Sequence, residues 1–185
     1  RRIKVYDKAI EAMWDNLKDT IKDSADTIVV RDGSASMTTA VSRKSKMSCL
    51  EVATALSVYC AERMNGDLKD KFITFSSKPE IVDMSHLSTL HDKLELCYQH
   101  NDCSNTNLEK TFDLLLNTLK NGHIPQEEAP KNILILSDME FDEATASRYG
   151  DYGNHDRFKP LFDSIREKWD EAGYKIPTLV FWQLN

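Results

Sequence analysis

The 185-residue sequence contains no apolar run that approaches the ~18 residues of a membrane-spanning helix, which excludes the bilayer as its solvent. It also lacks an excess of basic residues, because 24 lysines and arginines stand against 30 acidic residues and give a formal net charge of −6. That balance argues against a simple electrostatic surface for nucleic acid. A solvated acidic surface explains the net charge, and so does a site that gathers carboxylates around a cation.

Several familiar site motifs are missing as well. The four cysteines, at positions 49, 60, 97 and 103, form no C-x-x-C pair, which argues against a zinc ribbon or a redox motif and favours a reduced, cytoplasmic protein. The five histidines show no i, i+4 pairing, and we assign them no role. Neither a G-x-S-x-G elbow nor a G-x-x-x-x-G-K-[ST] loop is present, so two common signatures of hydrolases and nucleotide-binding enzymes are absent.

What the sequence does contain is an alternation of short apolar runs with helical periods. Four runs rich in β-branched or aromatic residues predict strands covered on both faces: TIVV (27–30), FITF (72–75), ILIL (133–136) and TLVF (178–181). The connection from 75 to 84 is too short for a crossover, so residues 80–83 should form an antiparallel edge strand. The fold class is therefore α/β, a doubly wound, three-layer arrangement around a mostly parallel sheet.

The helical periods predict five helices and a single domain over residues 1–185. Near the N-terminus, the spacing of Ile10, Met13, Leu17 and Ile21 predicts the first helix. Core positions are expected for the three tryptophans, Trp14, Trp169 and Trp182. Because the chain begins with Arg1 rather than Met, we expect it to be part of a longer protein.

Polar oxygen donors follow two of the predicted strands directly. Asp32, Ser34 and Ser36 lie on alternating positions after the first strand, in VVRDGSASM, and Asp138 follows ILILS. In an open parallel sheet, ligands bind outside the carboxyl ends of the strands. If the two strands are neighbours, these side chains lie within reach of one centre. Hydroxyl and carboxylate oxygens suit Mg²⁺, whereas the lack of imidazole or thiolate argues against zinc and copper.

Each of these residues also has an ordinary structural explanation. Asp32, Ser34 and Ser36 are of the types that satisfy N–H groups in turns. In CSNTNLEK (103–110), Thr106 with Glu109 fits a T-x-x-E capping box at the start of a helix, and capping is the simpler role for Thr106 taken alone. As a metal ligand, Thr106 would supply a third hydroxyl from a separate segment.

Taken together, the D-x-S-x-S stretch, the threonine in a later loop and the aspartate after a later strand resemble the metal-ion-dependent adhesion site (MIDAS) of von Willebrand factor A (vWA) domains. More narrowly, SDMEFD and GYKIPTLVFWQLN resemble the vWA module at the C-terminal end of an intracellular family of unknown function, distantly similar to the Ro autoantigen (TROVE) group. Between the two serines stands Ala35, where the motif usually has glycine.

The resemblance implies a Mg²⁺ ion, or Mn²⁺ or Ca²⁺ in its place. Ser34, Ser36 and Thr106 would coordinate it through hydroxyls, and Asp32 and Asp138 would act directly or through water. An open coordination position would capture an Asp or Glu side chain of a protein partner, so we expect a binding module rather than an enzyme, with no direct contact to nucleic acid or membrane.

Two other functions remain open at this point. The chain could be an accessory domain of a Ro-like RNA-binding protein, or a metal-dependent phosphohydrolase with Asp32 as nucleophile, although D-G-S lacks the second aspartate two residues on. Glu140 and Asp142 could tune the ion's charge or bind a basic group of a partner, although solvated loop carboxylates are the simpler explanation. The segment with Tyr149 and Tyr152 is expected to overhang the site, as an adaptable contact surface or as a partly packed Ω-loop.

Overall fold

A five-stranded, mostly parallel sheet forms the centre of the structure, a computed structural model that describes residues 6–20, 26–101, 106–138 and 159–184. The strands are β1 (Thr27–Asp32), β2 (Lys71–Phe75), β3 (Ile81–Asp83), β4 (Asn132–Ser137) and β5 (Thr178–Gln183). Their order in the sheet is β3-β2-β1-β4-β5. Only β3 runs antiparallel to its neighbour, which confirms the predicted edge strand and the predicted fold class, a Rossmann-like α/β arrangement.

Helices cover both faces of this sheet. They are α1 (Lys8–Asp15), α2 (Cys49–Arg63), α3 (Leu90–Gln99), α4 (Leu108–Asn121) and α5 (Lys159–Glu171). Helix α4 ends at Gly122 as its sequence predicts, and Gly173, with φ of +78°, follows α5 where a residue with a side chain would be strained. Among the described residues, no helix is both long and apolar enough to cross a membrane.

Alternate residues of the strands supply two hydrophobic clusters, one on each face. On one face Ile28 and Val30 of β1 pack with α4 and α5, around the fully buried Trp169. On the other face Val29 of β1 and Phe72 of β2 pack with α2 and α3. Both clusters contain residues of β1 and β4, so hydrophobic packing covers these two strands on both faces.

Two expectations about burial are wrong. Strand β5 forms where it was predicted, but Val180, Phe181 and Trp182 are between 40% and 48% exposed, so Trp182 is not a core residue. An apolar run predicts a strand but not its place in the sheet, and β5 is the outermost strand, with β4 as its single neighbour among the described strands.

The first helix differs as well. Helix α1 ends at Asp15, before Leu17, and Ile10 and Met13 are exposed, while Ile21 lies outside the described residues. The helix is attached through the half-buried Trp14, which packs against the cluster on the α2 and α3 face, and through the Glu11 carboxylate, which accepts hydrogen bonds from the first two N–H groups of α3. The exposed apolar stripe of α1 therefore does not decide how this helix docks, because Glu11 binds the free N–H groups at the start of α3.

After β1 the chain passes through a short 3-10 helix, Ala35–Thr38, and then through a hairpin, residues 39–48, that leads into α2. An antiparallel bridge between Ala40 and Ser48 closes it, and the Val41 N–H donates to the Met47 carbonyl at 3.0 Å. Ser48 then begins α2 in a capping box with Glu51, whose carboxylate accepts from the Ser48 N–H at 2.8 Å. This hairpin therefore starts from the same edge of the sheet at which β1 ends.

Candidate metal centre

The carboxyl ends of β1 and β4 lie side by side. The two strands pair in parallel, with Arg31 opposite Leu136, so Asp32 and Ser137 follow as the next residues on each strand. The chain leaves β1 towards β2 on one side and returns through β4 on the other, which makes this the point where strand order reverses. Open α/β sheets bind their ligands at such a point.

Asp32 is the central side chain of this edge. It is 1% exposed; its Oδ1 accepts a hydrogen bond from the Ser34 N–H at 2.9 Å, and its Oδ2 accepts one from the Ser137 hydroxyl at 2.6 Å. Burial raises the pKa of this carboxyl, hydrogen bonds from Ser137 and from both the backbone and the side chain of Ser34 lower it, and the charge of Asp138 raises it. A negative charge here is therefore costly unless a cation compensates it.

Ser34 and Ser36 contribute a pair of hydroxyls beside this carboxylate. A short 3-10 helix, Ala35–Thr38, turns the chain after Ser34 and brings the two Oγ atoms to 3.0 Å from each other. Ser34 stands at the N-cap of that helix, yet its side chain makes no capping hydrogen bond. The turn explanation therefore accounts for Asp32, whose carboxylate accepts from the Ser34 N–H, while the Ser34 hydroxyl contacts Ser36 and Asp32 instead of capping the helix.

Asp138 approaches from β4 and is 3% exposed. Its backbone N–H donates to the sulfur of Met37 at 3.1 Å, and Met37 is fully buried at the end of the 3-10 helix. This contact joins the segment that carries Ser36 to the segment that carries Asp138. The structure thus brings Asp32, Ser34, Ser36 and Asp138 to one place.

Thr106 lies at the same edge, although it is not the residue that caps α4. The N-cap is Asn107, whose Oδ1 accepts from the Lys110 N–H at 2.9 Å, so the predicted T-x-x-E capping box is wrong. Glu109 instead accepts from the Lys168 ammonium at 3.0 Å, because a charged partner on α5 competes for it. In the described part of the chain, the half-buried Thr106 makes no hydrogen bond to the other four candidates.

The position of α4 nevertheless keeps Thr106 as a candidate ligand. The Lys110 ammonium, one turn into α4, donates to the Ser77 carbonyl just past the end of β2 at 2.8 Å. Since β2 and β1 are neighbours in register, with Phe75 opposite Asp32, the start of α4 belongs to the carboxyl edge. A hydroxyl that does not cap its helix is available for another role.

Three residues near this edge were not predicted from the sequence. Ser137 is the last residue of a core strand, and its hydrogen bond to Asp32 joins residues 105 positions apart. Met37 offers no polar signal at all. Arg31, 1% exposed, donates to the Thr54 hydroxyl at 3.0 Å and to the Cys97 carbonyl at 2.9 Å, and burial lowers the pKa of its guanidinium. Only for Ser137 was a signal present, since it directly precedes Asp138.

The donor set fits a hard divalent cation. Two carboxylates and up to three hydroxyls offer oxygen ligands with room for water, as Mg²⁺ prefers. In the described ranges, no three side chains from His, Cys, Asp and Glu form a metal-binding group, which is compatible with a site that relies on hydroxyls. The predicted contributions of Glu140, Asp142, Tyr149 and Tyr152 fall outside the described residues.

Comparison with known proteins assigns this chain to a family. Residues 26–185 match the family described as "Domain of unknown function (DUF7788)". The chain belongs to the DUF7788 family. All five candidate ligands lie within the matched region of this DUF7788 domain, which begins just before β1.

A viral protein is among the relatives of this chain. Over 183 residues the DUF7788 chain is 28% identical to an uncharacterised protein of Acanthamoeba polyphaga mimivirus. That alignment covers 97% of this chain and 29% of the viral protein, so the chain spans less than a third of its relative's length.

Proposed function

We propose that this domain is a divalent-cation-dependent protein-binding module, in which a Mg²⁺-type ion at the carboxyl edge of the sheet captures an acidic side chain of a partner. The observation that carries the proposal is the burial of Asp32 beside the charge of Asp138, next to the paired hydroxyls of Ser34 and Ser36. Two neighbouring carboxylates in a region of low polarity repel each other, and a cation between them removes that repulsion.

The ligand roles follow from what each side chain already does. Both oxygens of Asp32 accept hydrogen bonds, from Ser137 and from the Ser34 N–H, so Asp32 is fixed in orientation and suited to act directly or through water. The Ser34 and Ser36 hydroxyls can turn their lone pairs to the ion and their hydrogens away from it. Thr106 would add a third hydroxyl from the start of α4.

A partner carboxylate would complete the coordination shell. Mg²⁺ keeps several waters when the protein supplies few charged ligands, and an acidic side chain can replace one of them. The ion is then the local positive charge in a domain that is acidic overall. We further propose the cytoplasm as the compartment, since the described cysteines, Cys49, Cys60 and Cys97, are free thiols.

Thermal unfolding of the full chain in EDTA and in millimolar Mg²⁺ or Mn²⁺ tests the ion site. An ion that binds only the folded state stabilises it by about 2.7 kcal/mol at one hundred times its dissociation constant, so the parent should melt at a higher temperature with metal. Asp138→Ala should abolish this rise, whereas Asp67→Ala, a change of an exposed aspartate before β2, should retain it. An equal response from both variants would contradict the proposal.

A further inference from the structure

Positive charge is concentrated next to the candidate metal centre. Residues 33–50 contain Arg43, Lys44 and Lys46 and no acidic residue, in a chain whose net charge is −6. All three side chains are exposed, and none forms an ion pair with any residue in the described portion. We call residues 39–48, which carry them, the basic hairpin.

The basic hairpin directly follows the segment that carries Ser36 and is held by backbone hydrogen bonds. The 3-10 helix that carries Ser36 continues directly into it, and the Cys49 N–H at the start of α2 donates to the Thr39 carbonyl at 2.9 Å. Its tip turns tightly, with the Ser45 N–H donating to the Ser42 carbonyl at 3.0 Å. Arg43 lies seven positions after Ser36, so it is within about 25 Å of the serine along the chain.

We propose that the basic hairpin is a second contact for the partner that the ion captures, and that this partner presents a run of acidic residues. The inference rests on the proposed function, because one carboxylate of the run occupies the open position of the ion. The neighbouring carboxylates then contact Arg43, Lys44 and Lys46. An extended peptide of eight residues spans about 26 Å, which is enough to reach from the ion to the hairpin.

Charge complementarity favours an acidic peptide over other occupants. An ion alone accepts any exposed Asp or Glu, whereas three cations beside it favour one whose neighbours are also acidic. A nucleic acid would also be attracted to the hairpin, but its phosphates would meet a domain that is acidic overall, and its binding would not need a carboxylate-capturing ion.

Peptide binding to the full chain, measured by fluorescence anisotropy in Mg²⁺ and in EDTA, tests this inference. The probes are labelled octa-glutamate and a labelled octapeptide with one glutamate among serine and glycine. The test variant combines Arg43→Gln, Lys44→Gln and Lys46→Gln. The matched control combines Lys69→Gln, Lys120→Gln and Lys175→Gln, which removes the same charge from exposed positions at the opposite edge of the sheet.

The test variant should bind octa-glutamate in Mg²⁺ about tenfold more weakly than the parent, because three surface ion pairs are lost. Neither triple variant should change the binding of the single-glutamate peptide or the Mg²⁺-dependent rise in melting temperature. The tenfold difference should shrink with added salt, since exposed charges are screened. The control variant should bind octa-glutamate as the parent does.

Three results would overturn the inference while leaving the ion site intact. The first is octa-glutamate binding that is no tighter than single-glutamate binding, and the second is octa-glutamate binding that falls equally in both triple variants. The third is binding of a labelled ten-nucleotide oligouridine without metal that is lost in the test variant alone, which would make the hairpin a contact for nucleic acid. Absence of any Mg²⁺ effect on the parent, for both peptides and for melting, would instead overturn the proposed function and this inference with it.

Discussion

At the scale of single residues, the proposed metal centre depends on side chains that would orient its ligands. The Ser137 hydroxyl donates to the Asp32 carboxylate at 2.6 Å and is fully buried. A hydrogen bond of this kind fixes the direction in which a ligand presents its lone pairs, and its loss typically costs ~10–100-fold in metal affinity. Under the proposed function, Ser137 would therefore orient a ligand of the ion without being a ligand itself.

Ser137→Ala should weaken Mn²⁺ binding about tenfold or more, for this reason. Ser57→Ala is the matched control, because the Ser57 hydroxyl is equally buried but donates to the Ala53 carbonyl within α2. Calorimetric titration with Mn²⁺ measures both affinities. Equal affinities in the two variants would show that Ser137 has no special role.

Asp32 gives a prediction for the metal-free protein. Because burial and the charge of Asp138 raise its pKa above the ordinary value, the ionised carboxylate destabilises the fold. That penalty is absent below the pKa of an unfolded aspartate, about 3.9, grows as pH rises towards the raised pKa of the folded state, and is complete above it.

Asp32→Asn should therefore raise the free energy of unfolding in EDTA at neutral pH, and the gain should diminish as pH falls towards 3. Urea denaturation across this range measures it, with Asp67→Asn as the control for an exposed aspartate. A loss of stability at neutral pH would mean that the hydrogen bonds to Asp32 outweigh its burial. In Mg²⁺ the variant should show no stabilisation by the ion.

At the scale of elements, the start of α4 is capped by the residue next to the one that its sequence motif favours. Sequence spacing favoured Thr106 as the cap, because T-x-x-E is a familiar signature. The structure assigns the cap to Asn107, and Glu109 is engaged by Lys168 on α5. A pairing between helices that are distant in sequence is invisible to a four-residue motif.

The helix cap formed by Asn107 and the proposed ligand role of Thr106 predict opposite effects for the two variants. Asn107→Ala should lower the free energy of unfolding by about 1 kcal/mol and leave the affinity for Mn²⁺ unchanged. Thr106→Ala should leave stability in EDTA unchanged and weaken Mn²⁺ binding. Urea denaturation and calorimetric titration separate the two quantities. If Thr106→Ala affects only stability, Thr106 is structural and the ion has two hydroxyl ligands rather than three.

At the scale of the whole molecule, sequence patterns were sufficient for the sheet and its one antiparallel edge. Apolar runs such as ILIL predict buried strands, and the short connection before Ile81 allows no crossover. The patterns did not predict that β5 would be exposed, nor that α1 would dock through Glu11 rather than through Ile10 and Met13. Both depend on which elements become neighbours.

The same distinction applies to the candidate site. Asp32 and Asp138 could be predicted to meet because parallel strands end at a common edge. The contacts that hold them, from Ser137 to Asp32 and from Asp138 to Met37, each join residues more than 100 positions apart. No local pattern encodes such a contact, so the orienting residues became apparent only from the assembled sheet.

The central claim is that the edge formed by β1 and β4 binds one divalent cation, and calorimetric titration of the full chain with Mn²⁺ tests it most directly. We predict binding of one ion per chain by the parent, no binding by Asp138→Ala, and parental binding by Asp67→Ala. Absence of binding by the parent at millimolar Mn²⁺, or undiminished binding by Asp138→Ala, would contradict it.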